Sequence, residues 1–178
     1  MSRQLPLLGA SADVVGEHRY MLSRWWGEGE RIVWCMLNPS TADEDANDPT
    51  IRRCIKFSQR WGFDGMDVVN LFSWRATDPL DVRANLADAA NTRTDDAIRS
   101  LVPAAPSVVV AWGRYTGRPW VEERATSVLS ILHFAGAKME CLGRNGDGSP
   151  KHPLYVAAAR ERQPFPFAET TDDERQDL

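Results

Sequence analysis

The sequence predicts an α/β fold, a three-layer α/β/α sandwich with a mainly parallel central sheet of about four strands plus an N-terminal β-hairpin. Three observations carry the prediction. Apolar runs at 32–37, 66–72 and 107–113 lack polar alternation over most of their length, which suits strands covered on both faces. Helical segments separate these runs, giving the alternation from which parallel sheets are built. Each run then empties into a polar loop, several of them marked by proline, and such strand ends are where parallel sheets place their sites.

The elements follow in chain order. Residues 17–26 and 32–37 flank Gly27-Glu28-Gly29-Glu30, so they read as the two arms of a hairpin. Asp48 and Pro49 then supply a helix cap and a first-turn proline, and Ile51, Cys54, Ile55, Ser58 and Trp61 fall on one helical stripe. The opposite face carries Arg52, Arg53, Lys56 and Arg60. That face reads as ordinary solvation ahead of phosphate contact. Gly62 and Gly65 close the helix, and a strand at 66–72 completes a βαβ unit. Residues 78–92 read as loop plus a short helix, 94–101 as a helix ended by Pro103 and Pro106, and 107–113 as a buried strand. A helix from about 120 to 134, a strand at 139–143 and room for a short helix at 155–160 finish the pattern.

At 178 residues and 43% hydrophobic content the chain fits one domain, assigned to 1–160. Residues 161–178 read as an acidic, partly disordered tail whose start is docked, and they account for the whole formal net charge of −4. The remaining body is neutral, so charge neither favours nor excludes nucleic acid. Cys35, Cys54 and Cys141 are scattered through apolar surroundings, as in a reduced cytoplasmic protein. No signal segment or membrane-spanning run is visible, and no histidine spacing suggests a metal.

Two loops concentrate the chemistry. The first, Leu37-Asn38-Pro39-Ser40-Thr41-Ala42-Asp43, offers an amide, two hydroxyls and a carboxylate, suited to positioning water or reading a base edge. The competing reading is an Asx-type turn with Asp43 capping a neighbouring amide. The second, Gly148 to Tyr155, presents His152 before Pro153, where neither strand nor helix would hide it. A histidine there can act as an acid or as a neutral donor to a developing anion. Arg75 either binds phosphate or pairs with Asp43 or Asp78, while Asn70 lies at a strand end. Trp112 offers a stacking face, although most tryptophans are core. The glycine-rich segment 143–149 has neither Walker nor dinucleotide spacing, so no cofactor is expected.

Leu37 to Asp43, Asp48 to Cys54, Val69 to Phe72, Arg75 to Pro79, Ala111 to Gly113 and Gly148 to Tyr155 together resemble an uncharacterised bacterial and phage family of unknown function. More remotely, the order of motifs is similar to the uracil-DNA glycosylase superfamily, with Asn38-Pro39 after the first strand and His152-Pro153 after the last. That resemblance implies an asparagine or aspartate that positions water and a histidine loop that stabilises the departing base. Ser40 replaces the glycine expected after the first proline, no aromatic follows at the stacking position, and Leu154-Tyr155 replace small residues. Uracil itself is therefore not indicated.

The expectation is a glycosylase-like hydrolase acting on a nucleobase in nucleic acid or a nucleotide. Asn38, Asp43 and His152 are its catalytic candidates, and Pro39, Ser40, Thr41, Asn70, Arg75, Trp112, Arg144 and Pro153 its substrate-binding candidates. Noncatalytic nucleic-acid or nucleotide binding, and chemistry on an unrelated metabolite, stand as alternatives.

Overall fold

The computed structural model describes residues 5–40, 42–43 and 46–167. Strands β1 (Gly9–Val15), β2 (His18–Trp25) and β3 (Arg31–Met36) come first, followed by α1 (Pro49–Arg60) and β4 (Gly65–Asn70). Helices α2 (Pro79–Ala84), α3 (Leu86–Ala89) and α4 (Thr92–Leu101) precede β5 (Val108–Val110), and α5 (Pro119–Phe134), β6 (Met139–Cys141) and β7 (Gln163–Pro164) complete the fold.

The described strands make one mixed sheet of seven, ordered β1-β2-β4-β3-β5-β6-β7. Strands β4, β3, β5 and β6 run parallel, with β2 antiparallel on one side and β7 antiparallel on the other. The sheet is thus larger and more mixed than expected. The βαβ unit forms as read, since β3 and β4 are parallel neighbours joined through α1.

The hairpin is a correction. Residues 18–25 pair with β1, not with β3, through a turn at Gly16, whose φ is 57°. Strand β4 inserts between β2 and β3, because the apolar β3 can be covered on both sides only at the centre of the sheet. The fold also passes the expected boundary at residue 160. Strand β7 extends the sheet, Phe165 is buried near the Trp112 ring, and Arg162 pairs with Glu140 at 2.8 Å. No α-helix forms at 155–160; a 3-10 turn, Pro153–Tyr155, overlaps the first residue of that span.

Alternate side chains of β3 enter two cores. Val33 and Cys35 join Val82 of α2, Ile98 of α4 and Val121, Ala125 and Val128 of α5, whereas Ile32, Trp34 and Met36 join Ile51, Cys54 and Ile55 of α1. Helices therefore cover both faces. Burying a Leu, Ile or Val side chain contributes about 1.5–3 kcal/mol, so these paired cores fix the register of the central strand. Cys35, Cys54 and Cys141 are buried and unpaired, and burial pushes the Cys35 thiol up to about 12. Among the described residues no helix is long and apolar enough to cross a membrane.

Candidate functional site

Parallel strands deliver their carboxyl ends to one edge, and there the loops after β3, β4, β5 and β6 surround a cavity of about 780 Å³. Strand β2 runs the other way, so its beginning rather than its end reaches this edge. Arg19 arrives by that route, its backbone N–H donating to Ser73 C=O at 2.9 Å.

Asn38 and His152, separated by most of the chain, line the same cavity. Asn38 Nδ2 donates to the carbonyls of Ala76 (2.8 Å) and Pro39 (3.0 Å), which ties the loop after β3 to the loop after β4. Its NH2 group is therefore spent on backbone. Ser40 also lines the cavity, Pro39 is buried behind it, and Thr41 lies outside the described residues.

Asp43 is not brought to the cavity wall. Its Oδ1 accepts the Ala46 N–H at 2.9 Å, and its carbonyl accepts from Arg24. The turn that competed with a catalytic reading is the one the carboxylate serves. Arg24, 1% exposed, also donates from Nε to Asn47 Oδ1 at 2.7 Å, and Arg19 Nη1 donates to Ala42 C=O at 2.5 Å. Buried guanidinium groups need such acceptors, and here they hold the loop after β3 in place.

Asp48 caps α1 through Ile51 N at 2.8 Å, as its sequence position implies. It also lines the cavity, a second duty that the cap reading passed over. His152 caps the 3-10 turn, its Nδ1 accepting from Leu154 N at 3.3 Å. An accepting Nδ1 leaves the proton on Nε2. Burial pulls the imidazole down to about 4, against the opposing charge of Asp48, so it is neutral near pH 7.

Asn70, 3% exposed, lines the cavity at the end of β4, and its Oδ1 has no partner among the described residues. Trp112 lines it too, though 1% exposed and bonded through Nε1 to Tyr115 Oη at 3.2 Å, so it packs as core. Arg75, Arg144 and Pro153 stand outside the lining. The Arg75 N–H donates to Glu17 C=O, Arg144 is exposed, and Pro153 C=O accepts from Arg53.

Sequence reading missed Arg19, Arg114, Arg118, Asn145, Lys151 and Tyr155, all of which line the cavity. Arg114 and Arg118 follow the strand end at Gly113, a signal available in the sequence. The four cationic side chains Arg19, Arg114, Arg118 and Lys151 face one carboxylate, Asp48, in the lining. The wall is electropositive. Behind it Asp147 joins two loops, accepting from Ser149 Oγ, Thr116 Oγ1 and the backbone N–H groups of Tyr115, Thr116 and Ser149. The bond from the Ser149 hydroxyl does most to hold its carboxyl well below the usual range.

The basic face of α1 has a different use. Arg52 donates to Asn47 C=O, Arg53 to the carbonyls of Pro153 and Val156, and Arg60 to Arg160 C=O while pairing with Glu161 at 3.1 Å. These arginines brace neighbouring chain segments. A family model described as protein of unknown function (DUF1643) matches residues 19–154. No curated protein and no solved structure matches the chain.

Proposed function

We propose, for a chain that belongs to the DUF1643 family of unknown function, that the cavity is the site of a glycosylase-like hydrolase acting on a nucleobase in nucleic acid or a nucleotide. The observation that carries the reading is the cavity itself, which Asn38 and His152 both line together with four cationic residues and one carboxylate. An anionic, hydrogen-bonding ligand suits such a wall.

In the reaction, water adds to the sugar carbon, the N-glycosidic bond breaks, and its electron pair leaves with the base. Asn38 and Asp48 supply polar groups at the wall to orient the water. Neutral His152, with its proton on Nε2, donates to the oxygen on which negative charge develops, a role that needs no proton transfer. The proton lost by the water ends on the departing base or in solvent. Asn70 offers its buried amide to the base edge. Were the base part of a duplex, it would leave the stack at a cost of a few kcal/mol.

Kinship with the uracil-DNA glycosylase superfamily is part of the same reading, supported by Asn38-Pro39 after β3 and His152-Pro153 after β6. A reduced cytoplasmic setting is supported by the unpaired cysteines. One observation favours a second reading, a noncatalytic nucleotide or nucleic-acid module: the Asn38 NH2 and the Asp43 carboxylate both serve loop backbone.

Chromatographic detection of free base after incubation with nucleotides and with single-stranded DNA separates the two. The hydrolase reading expects release by the wild type, a loss of 100-fold or more in His152→Ala, the scale of one lost transition-state donor, and a clear loss in Asn38→Ala, which removes the Oδ1 that would accept from the water. Equal release by all three proteins would sink it, and binding without release would select the module.

A further inference from the structure

We infer that the cavity takes the phosphate as well as the base, so that its ligand is a free nucleoside phosphate rather than a base turned out of a polynucleotide. The inference rests on the nucleobase reading of the site but adds a claim of its own about which part of the ligand enters.

Position of charge is the first argument. A base presented by a polynucleotide leaves its phosphates on the protein surface, where exposed cations must meet them. On this chain the arginines of the basic α1 face are engaged, with Arg52, Arg53 and Arg60 donating to carbonyls of Asn47, Pro153, Val156 and Arg160, which leaves Lys56 as the remaining exposed cation of that face. Arg19, Arg114, Arg118 and Lys151 line the cavity, Arg118 while donating from Nη2 to Arg114 C=O at 2.5 Å. Arg19, Arg118 and Lys151 sit where a ligand would be enclosed, and Arg114, which is exposed, stands at the rim.

An unmet donor is the second and independent argument. Arg19 is 2% exposed, yet its Nε has no hydrogen-bond partner among the described residues. Buried guanidinium N–H groups without partners are rare in folded proteins, and Arg19 brings its charge to the cavity wall with one of its donors unmet by those residues. Its Nη1 is already committed to Ala42 C=O, so the guanidinium is held in place. Burial also lowers the Arg19 pKa to about 10, although nearby Asp48 opposes the shift, and at neutral pH the group keeps its charge. A ligand oxygen would answer that charge.

Size is the third. A cavity of about 780 Å³ lies within the range of roughly 300–1,000 Å³ in which proteins enclose whole small molecules, ample for base, sugar and phosphate together. Apolar wall from Ile51 and Val68 suits the base, and the arginines suit the phosphate.

Calorimetric titration of the full chain tests this with a nucleoside, its 5′-monophosphate, inorganic phosphate and a single-stranded oligonucleotide of the same base. The expected result is that the monophosphate binds at least about tenfold tighter than the nucleoside and the oligonucleotide, the scale of one charge-assisted hydrogen bond. Arg118→Gln, at a half-buried position, and Arg19→Met, at the buried one, should each erase most of that advantage. Circular dichroism reports whether Arg19→Met folds, and Arg118→Gln decides the matter if it does not. That pattern supports the inference whether or not base is released. An oligonucleotide that binds tighter than the monophosphate overturns the inference and leaves the hydrolase reading standing, as does a nucleoside that binds as well as its phosphate. Phosphate alone binding as tightly as the monophosphate overturns the nucleobase reading and the inference together, as does no binding by any of the four.

Discussion

At His152 burial decides the chemistry. An imidazole held at about 4 is neutral over the physiological range, which fits the proposed role of a hydrogen-bond donor rather than a general acid. The same shift fixes a pH dependence. An unfolded histidine binds its proton near pH 6.5, whereas the folded one does not until about 4, so the unfolded state holds more protons between these values. Stability is therefore full above pH 6.5 and falls as the pH descends towards 4, by at most about 3 kcal/mol. Urea unfolding at pH 7 and pH 5 should reveal this loss in the wild type and a reduced slope in His152→Gln. Asp147 leaves that window clear. Its depressed carboxyl contributes stability that is present above the ordinary carboxylate range and lost only at more acid pH.

At the scale of elements, α1 joins fold to site. Asp48 caps the helix and stands in the cavity wall, so one side chain answers to both stability and charge. Asp48→Ala should cost about 1 kcal/mol of stability through the lost cap, whereas Asp48→Asn, which can still accept from Ile51 N, should unfold close to wild type. Thermal denaturation of the two variants checks this. The helix was legible because its cap, proline and apolar stripe are all local, and so was β3, whose apolar run has no polar interruption. Pairing was not local. Whether residues 18–25 lie beside β3 or beside β1 depends on the whole sheet, and Gly9–Val15, with only intermediate to exposed positions, gave no apolar signal. Arg19 escaped notice for the same reason, since an arginine in a strand announces neither its face nor the edge its strand will reach.

Across the whole molecule, four parallel strands and one reversed neighbour gather residues from position 19 to position 155 around one opening. The pairing of Asn38 with His152 could be anticipated because parallel strands send their carboxyl ends the same way. The departure of Asp43 from the wall was legible only as one of two local alternatives, and the capping one holds because its carboxylate accepts the Ala46 N–H. The remaining wall charge came from Arg114, Arg118 and Lys151, whose grouping depends on how the loops after β5 and β6 close together, an arrangement that Asp147 holds from behind. The most direct measurement is a crystal structure of the chain soaked with a nucleoside monophosphate. The account predicts density inside the cavity, with the base within hydrogen-bond reach of Asn70 and His152 and the phosphate on the arginines. A monophosphate bound elsewhere on the surface, with the cavity filled only by solvent, would contradict it.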